Sequence, residues 1–426
     1  MRDSHEVEVR VRGIGSGGVG VADLPDGRIL FVPRTAPGDL VRVRVIQKKG
    51  RWAKGELVSI LSRAPGRREP PCTRYGECDG CTLQHLEYSE QRFWKGRIVG
   101  DALRRIGKVG VEDPVVEPAP EELLYRNKAS LTLRRLPGGR VVAGFHDRAT
   151  RHRILDVGPE CQLMEPGLAQ LWEALRSGWG PGANRLPLGR QLRLTLRHLE
   201  EFGVLVIQGG RGEGRPSELM AAIPELDSIW REDPSGKLSL LKGKETLQVS
   251  WLRERFQVMG GTFVQVNSKA GEALHRFVLA SLGEIQGKRI VDGYCGLGVL
   301  GREMAHRGAS VVGIEADPHG FAAAERDAPE GFRVVHGRVE EILPEELPAD
   351  LVLLNPPREG IDAGVAQVLA QDPVGRIIYV SCDPATLARD IGRLGGGYQL
   401  VDLHSFDLFP QTSHVETVAG LVRKES

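Results

Sequence analysis

From Gly287 onward, short apolar β-branched runs alternate with stretches of helical spacing, a pattern that admits little besides a parallel, doubly wound α/β sheet. The first run, Lys288-Arg-Ile-Val-Asp, ends in the loop Gly293-Tyr-Cys-Gly-Leu-Gly and passes into a helical stretch from Val299 to Arg307. Glycines at 293, 296 and 298 let the backbone turn sharply and approach a ligand, as nucleotide-type cofactors require. The next run, Ala309-Ser-Val-Val-Gly-Ile, ends at Glu315, twenty-three residues after Asp292, where an acidic side chain can accept from ribose hydroxyls. The loop lacks the Gly-x-Gly-x-x-Gly spacing of NAD sites, so S-adenosylmethionine, which has no phosphates, fits it better. Ligands of such sheets bind outside the carboxyl ends of the strands. Arg376-Ile-Ile-Tyr-Val-Ser reads as a buried strand and Ala385-Thr-Leu-Ala-Arg-Asp-Ile as a helix, which puts Cys382 on the turn between them. A thiol so placed is either an inert packing residue or a nucleophile.

The chain of 426 residues is long enough for about three domains. No apolar run approaches the ~18 residues of a membrane helix, and the charged start Met1-Arg-Asp-Ser-His-Glu does not read as a signal peptide, so a cytoplasmic protein is expected. Charge is uneven along it. Residues 1–70 hold fourteen Lys/Arg against eight Asp/Glu, a surplus of +6, so with a net charge of +1 the remainder carries −5. A basic first module suits a polyanionic partner.

That module, from His5 to Leu61, is written as short alternating strands broken by turns such as Asp26-Gly27, the pattern of a small β-barrel. Its outward positions include Arg42, Arg44, Lys48, Lys49, Arg51, Trp52 and Lys54, and basic side chains interleaved with an aromatic can track a nucleic-acid backbone and stack on a base. After a Pro/Arg-rich linker come Cys72, Cys78 and Cys81, spaced by five residues and then two in a turn-rich loop. Thiolates this close can converge on one metal centre with Cys161 as a fourth ligand, and zinc and iron–sulfur both suit four thiolates. Residues from about 82 to 119 look helical. Tyr125-Arg-Asn-Lys-Ala-Ser-Leu-Thr-Leu, Val141 to His146, Leu192 to Arg197 and Gly203 to Gln208 read as strands of a second, mostly antiparallel module. Arg126, Asn127 and Lys128 at the start of one strand are either substrate contacts or a solvated strand end.

The barrel is similar to a TRAM domain, the oligonucleotide-binding-like barrel of several RNA-modifying enzymes. Phe263-Val-Gln-Val-Asn, Asn355-Pro-Pro-Arg, Val380-Ser-Cys-Asp-Pro-Ala-Thr-Leu-Ala-Arg-Asp and His414-Val-Glu follow in that order behind it and behind the cysteine group. Together they resemble the RNA 5-methyluridine methyltransferase family across essentially the whole chain, and the barrel with its four cysteines resembles the branch acting on 23S ribosomal RNA more than the tRNA branch.

The resemblance implies a multidomain enzyme: a TRAM, OB-like β-barrel at 1–62, a central mostly antiparallel α+β module carrying the cysteine cluster at 63–90 and 120–257, and a Rossmann-like class I methyltransferase domain at 91–119 and 258–426. It further implies methyl transfer from S-adenosylmethionine to carbon 5 of a uridine, with Cys382 as covalent nucleophile and Glu416 as the base that removes the carbon 5 proton. Gln265, Asp292, Tyr294, Gly296, Gly298, Glu315 and Asn355 become cofactor contacts. Phe263 and Arg358 become substrate contacts alongside the basic barrel residues. Cys72, Cys78, Cys81 and Cys161 become the ligands of a 4Fe-4S cluster, with zinc as the alternative. The implied partner is RNA, with no membrane and no obligate protein partner. Two departures from the family pattern are Asn355, where Asp is usual, and Asp383, where Asn is common. Asn355 keeps open a methyltransferase for another base. Transfer RNA as the substrate and a non-catalytic RNA-binding or assembly factor stay open as well.

Overall fold

The structure is a computed structural model that describes residues 6–148, 150 and 152–424; the charged start at residues 1–5 lies outside them. Six amino-terminal strands, Glu6–Arg10, Gly13–Gly15, Val19–Asp23, Ile29–Pro33, Leu40–Lys49 and Trp52–Ser62, form one sheet in which the first strand pairs with the fifth and the fifth with the sixth. Alternate residues such as Val9, Leu30, Val41 and Val43 fill its core. An ion pair fastens the barrel to the linker behind it: Arg67 Nη2 donates to Asp39 Oδ2 at 2.6 Å, with both side chains nearly out of solvent. Burial works against the Asp39 charge, but the Arg67 fork and the Ala36 and Ala64 N–H groups outweigh it and hold the carboxyl below its usual range.

The central module is a six-stranded sheet. Its strands Lys128–Arg135, Val141–Gly144, Gln191–Leu199 and Phe202–Gln208 are antiparallel, Ser228–Glu232 joins parallel to Phe202–Gln208, and Leu238–Gly243 closes the edge. Helix Pro166–Gly178 covers one face through Leu168, Leu171, Trp172 and Leu175. A hairpin, Thr246–Trp251 with Glu254–Met259, leads on towards the third unit.

That unit is an eight-stranded sheet. Phe332–His336, Ser310–Glu315, Arg289–Gly293, Leu351–Leu354 and Arg376–Ser381 lie side by side and parallel; Glu416–Arg423 then runs antiparallel to Arg376–Ser381, and Tyr398–Phe406 antiparallel to Glu416–Arg423. From Arg289–Gly293 the chain steps one way to Ser310–Glu315 and Phe332–His336, then the other way to Leu351–Leu354 and Arg376–Ser381. The crevice therefore opens at the carboxyl ends of Arg289–Gly293 and Leu351–Leu354, where the strand order reverses.

The long helix expected over 82–119 is shorter: Tyr88–Ala102 is α-helical, Leu103–Gly107 widens into a π turn, and Lys108 turns left-handed with φ 57°. Residues 109–115 take no regular secondary structure. Gly107 and Gly110 discourage helix there, and Val116–Glu117 pairs with the strand Tyr398–Phe406. The helix nonetheless binds the sheet through a charge. Lys95 Nζ donates to Asp407 Oδ1 at 2.6 Å and to the Phe409 carbonyl at 3.2 Å, with both charged side chains fully buried. Burial lowers the Lys95 pKa and raises that of Asp407, each opposed by the partner. Lys95→Met leaves a buried carboxylate without its cation, so an unfolding free energy lower by about 3–5 kcal/mol is expected. Denaturant titration checks this, and Lys95→Met/Asp407→Leu is expected to lose less than Lys95→Met alone.

Candidate active site

A cleft of about 1610 Å³ runs between the cysteine loop, the central module and the eight-stranded unit. It exceeds the ~300–1,000 Å³ of a site for one small molecule, which leaves room for a cofactor and a nucleotide together. Its floor is the crevice of the parallel sheet.

On the cofactor side, Tyr294 takes φ 64°, Gly296 φ 58° and Gly298 φ 74°. A Cβ at Gly298 would stand 2.8 Å from the Phe332 ring, so glycine is needed there for space as well as conformation. Glu315 holds this loop: its Oε2 accepts from the Gly296 N–H at 2.8 Å and its Oε1 from the Asp317 N–H at 2.7 Å. The carboxylate at the end of the second strand thus shapes the loop it faces. Asp292 is buried, and one of its oxygens, Oδ2, has no hydrogen-bond partner among the described residues. Burial pushes its carboxyl up to about 7, with Glu315 adding to the shift and the Gly301 N–H opposing it. An orphaned buried acceptor at the mouth of a strand fits a cationic ligand such as S-adenosylmethionine. Gln265 and Asn355 also line this part of the cleft, and the Asn355 N–H donates to the Gly293 carbonyl.

On the opposite side, Cys382 stands between strand Arg376–Ser381 and helix Pro384–Leu394, as the sequence predicts. The helix starts there because Asp383 Oδ1 caps the Thr386 N–H at 2.8 Å and Pro384 occupies the first turn. Ser381 lies opposite Thr417 in the antiparallel pair, so the next step of the same register brings Cys382 beside Glu416, thirty-four residues away in sequence. Glu416 is buried and desolvation pushes its carboxyl up to about 7, against the pull of Arg358. The Cys382 thiol rises to about 11 through burial first and then through the charge of Glu416, again opposed by Arg358. Phe263, two-thirds exposed, stands at the mouth, and Phe409 and His414 line the wall beside Glu416.

Two networks of buried hydrogen bonds position the loops around the site. Asp390, on helix Pro384–Leu394, is fully buried and accepts from Tyr379 Oη at 2.8 Å, the Ile361 N–H at 3.0 Å and Arg389 Nε at 2.8 Å. Thr386 Oγ1 donates to the Arg358 carbonyl and Arg389 to that of Glu359, so the Pro-Pro-Arg loop is fixed to the Cys382 helix. Asn127 is the second. It is no solvated strand end: it is buried, and its amide donates to the Gln265 carbonyl and to Ser268 Oγ, both at 2.9 Å, tying the central sheet to the Phe263–Asn267 segment. Arg126 is half-buried between the cleft and the cysteines.

Cys72, Cys78, Cys81 and Cys161 line one end of the same cleft. Burial pushes Cys78 to about 11 and Cys81 to about 12, and each feels neighbouring thiols of the set. Hydrogen bonds reach the sulfurs from the Gly80 N–H and from Gln84 Nε2, and the Leu163 and Met164 N–H groups approach Cys161. Among the described residues no group of three or more His, Cys, Asp or Glu is gathered so as to hold a metal ion. Of the barrel residues, Arg42 pairs with Glu8 at 2.8 Å and Arg44 with Glu6 at 3.2 Å across the first and fifth strands, while Lys49 and Lys54 lie over the Trp52 ring. The free positive charge of the barrel is therefore smaller than the sequence suggests, because the facing strand carries the matching carboxylates.

Comparison with known proteins places these features. Residues 321–424 match a family model described as tRNA (Uracil-5-)-methyltransferase, and residues 4–58 match the TRAM domain. An uncharacterised RNA methyltransferase of Gloeobacter violaceus is 34% identical, covering 98% of this chain and 96% of its own. The 23S rRNA (uracil(1939)-C(5))-methyltransferase RlmD of Chromohalobacter salexigens is 33% identical, covering 95% and 87%. The crystal structure of Pyrococcus abyssi tRNA (uracil-54, C5)-methyltransferase with S-adenosyl-L-homocysteine superposes with a TM-score of 0.74 at 25% identity, covering 98% of this chain and all of that one. No helix among the described residues is long and apolar enough to cross a membrane.

The electrostatics of the pair give a measurable outcome. Ionised Glu416 raises the Cys382 pKa, so Glu416→Gln lowers it. Above pH 7, where Glu416 is charged, iodoacetamide is expected to alkylate Cys382 faster in Glu416→Gln than in the native protein, with the two rates converging below that pH. Peptide mass spectrometry of timed samples checks it.

Proposed function

The chain belongs to the S-adenosylmethionine-dependent RNA uracil-5-methyltransferases with an amino-terminal TRAM domain, and on that basis we propose that it methylates carbon 5 of a uridine in 23S ribosomal RNA through a covalent adduct on Cys382. The observation that carries this reading is the meeting of Cys382 and Glu416 at adjacent strand ends, in one cleft with the glycine loop.

The Cys382 thiolate adds to carbon 6 of the flipped base, and the electron pair moves to give an enolate through carbon 5. S-adenosylmethionine, when bound, would supply the methyl group to carbon 5, the methyl–sulfur bond breaking as the carbon–carbon bond forms. Glu416, as carboxylate, takes the carbon 5 proton, and the electrons of that bond expel the Cys382 thiolate. A carboxyl pushed up to about 7 serves this step, since it is a stronger base than an exposed glutamate and half of it is ionised near neutral pH. Arg358, the positive charge that opposes both pKa rises, is assigned to steadying the thiolate and the base in their charged forms. Asp292 and Glu315 hold the donor with Gln265, Tyr294, Gly296, Gly298 and Asn355, and Phe263 stacks at the entrance. A flipped or single-stranded target is required, because carbon 6 cannot be attacked within a stack.

In the same reading Cys72, Cys78, Cys81 and Cys161 hold a 4Fe-4S cluster. Four thiols at one end of the cleft, near enough to influence one another and with N–H groups aimed at their sulfurs, are the donor set such a cluster would take. The cluster serves structure or RNA binding; methyl transfer needs only the residues above. The barrel, through Lys48, Lys49, Arg51 and Trp52, contacts the flanking RNA, the divisions at 62, 90, 119 and 257 separate the working units, and the protein acts in the cytoplasm. A second reading, transfer RNA as the substrate, is favoured by the full-length likeness to the Pyrococcus abyssi enzyme.

Three outcomes are expected. Incubation with unmodified 23S rRNA and labelled S-adenosylmethionine yields 5-methyluridine on nucleoside analysis; label only in tRNA supports the second reading, and label in another base rejects uridine. RNA containing 5-fluorouridine forms a denaturation-resistant adduct with the native protein and none with Cys382→Ala, while Glu416→Gln accumulates an adduct on ordinary RNA, with turnover lowered at least ~100-fold. Anaerobically purified protein is brown, and its visible absorbance is lost in Cys81→Ser; a colourless protein with stoichiometric zinc contradicts the cluster.

A further inference from the structure

The central sheet has two unlike faces. One carries Leu131, Leu133, Leu194 and Leu196 into the core under helix Pro166–Gly178. On the other face, the half carried by Phe202–Gln208 and Ser228–Glu232 is apolar, and the hairpin covers its Val204, Val206 and Trp230. The remaining half is not covered in this way. The register sets Lys128 opposite Arg197, Ser130 opposite Thr195 and Thr132 opposite Arg193, and residues directly opposite one another share a face. Arg197 is spent at the boundary, donating to the Gly260 carbonyl at the end of the hairpin. This strip is made of hydroxyls and cations, Arg193 exposed and Lys128, Ser130, Thr132 and Thr195 half-buried, and Lys128, Ser130 and Arg193 line the catalytic cleft itself.

Neither Lys128 nor Arg193 enters a salt bridge among the described residues, unlike Arg42 and Arg44 of the barrel. Burial, and then the positive charges of Arg197 and Arg193, push the Lys128 ammonium down to about 8, while Glu232 opposes them only from three strands away. Two cations without a salt bridge thus stand two same-face steps apart on the wall of a cleft. An anion laid across them relieves that repulsion.

We propose that the polar half of this sheet is an RNA-binding platform on which Lys128 and Arg193 take backbone phosphates of the strand leading to the target nucleotide, beside the Ser130 and Thr195 hydroxyls, which hydrogen-bond each other at 2.9 Å. The inference rests on the reading of the protein as an RNA methyltransferase, and it moves the principal phosphate contact from the barrel to the central module. Contacts of this kind position the strand without reading its sequence.

The test is filter binding of an unmodified 23S rRNA transcript across salt concentrations. Lys128→Gln/Arg193→Gln is expected to bind about tenfold more weakly, with the log–log salt slope shallower by about 1.5, as two lost phosphate contacts require. Lys128→Arg/Arg193→Lys keeps the native slope, which separates charge from folding. Lys242→Gln removes the same kind of charge from the opposite face of the sheet and leaves the slope unchanged. A double glutamine variant that binds within twofold of native with the native slope overturns the platform, as does an equal loss from Lys242→Gln. Native protein that binds with the expected variant effects yet deposits no 5-methyluridine leaves the platform standing and overturns the proposed function instead.

Discussion

The ion pair between Lys95 and Asp407 lies where the fold has most to hold together. Asp407 directly follows the strand Tyr398–Phe406 of the methyltransferase sheet and opens the loop that returns the chain to Glu416. That loop touches every neighbour. Tyr125 donates to the Pro410 carbonyl, Asn267 to that of Leu408, and the Thr82 and Leu83 N–H groups both to that of Gln411, whose side chain and N–H are held by Gln91. The cysteine loop, the long helix and the segment leading into the central sheet thus bear on the few residues that precede Glu416. A buried charge pair adds little net stability, yet either partner alone is costly, so the pair fixes one arrangement of the loop over others.

The reversal of direction in the last part of the sheet makes the site. In an all-parallel sheet, the carboxyl end of one strand faces only other carboxyl ends. Because Glu416–Arg423 runs antiparallel to Arg376–Ser381, its first residue sits beside the turn after the other's last, and a carboxylate meets a thiol out of water. The same burial raises both pKa values, keeping the Cys382 thiol protonated while Glu416 titrates near neutral pH. Arg358 counters both shifts, and its loop is fixed to the Cys382 helix through Asp390.

Much of this is legible in the chain because it is local. The parallel strands, the glycine loop, the barrel and the turn bearing Cys382 each follow from a period or a spacing within some twenty residues. The free charge on the barrel is not legible in this way, because a strand's facing partner is not local: Arg42 and Arg44 lie more than thirty residues from Glu8 and Glu6, which face them across the sheet. Asn127 and Lys128 are adjacent, yet one stitches two units together and the other faces the cleft, because successive residues of a strand point to opposite faces.

The order of residues alone dictates a basic barrel and a doubly wound sheet, and which thiol lies at a strand end, since local period and turn chemistry decide these. It takes the assembled fold to settle which charges remain free, which carboxylates are buried, and that Cys382 and Glu416 share a wall. Those properties belong to pairs of residues far apart in the chain, brought together by register and packing, and desolvation acts on the assembled pair rather than on either residue alone.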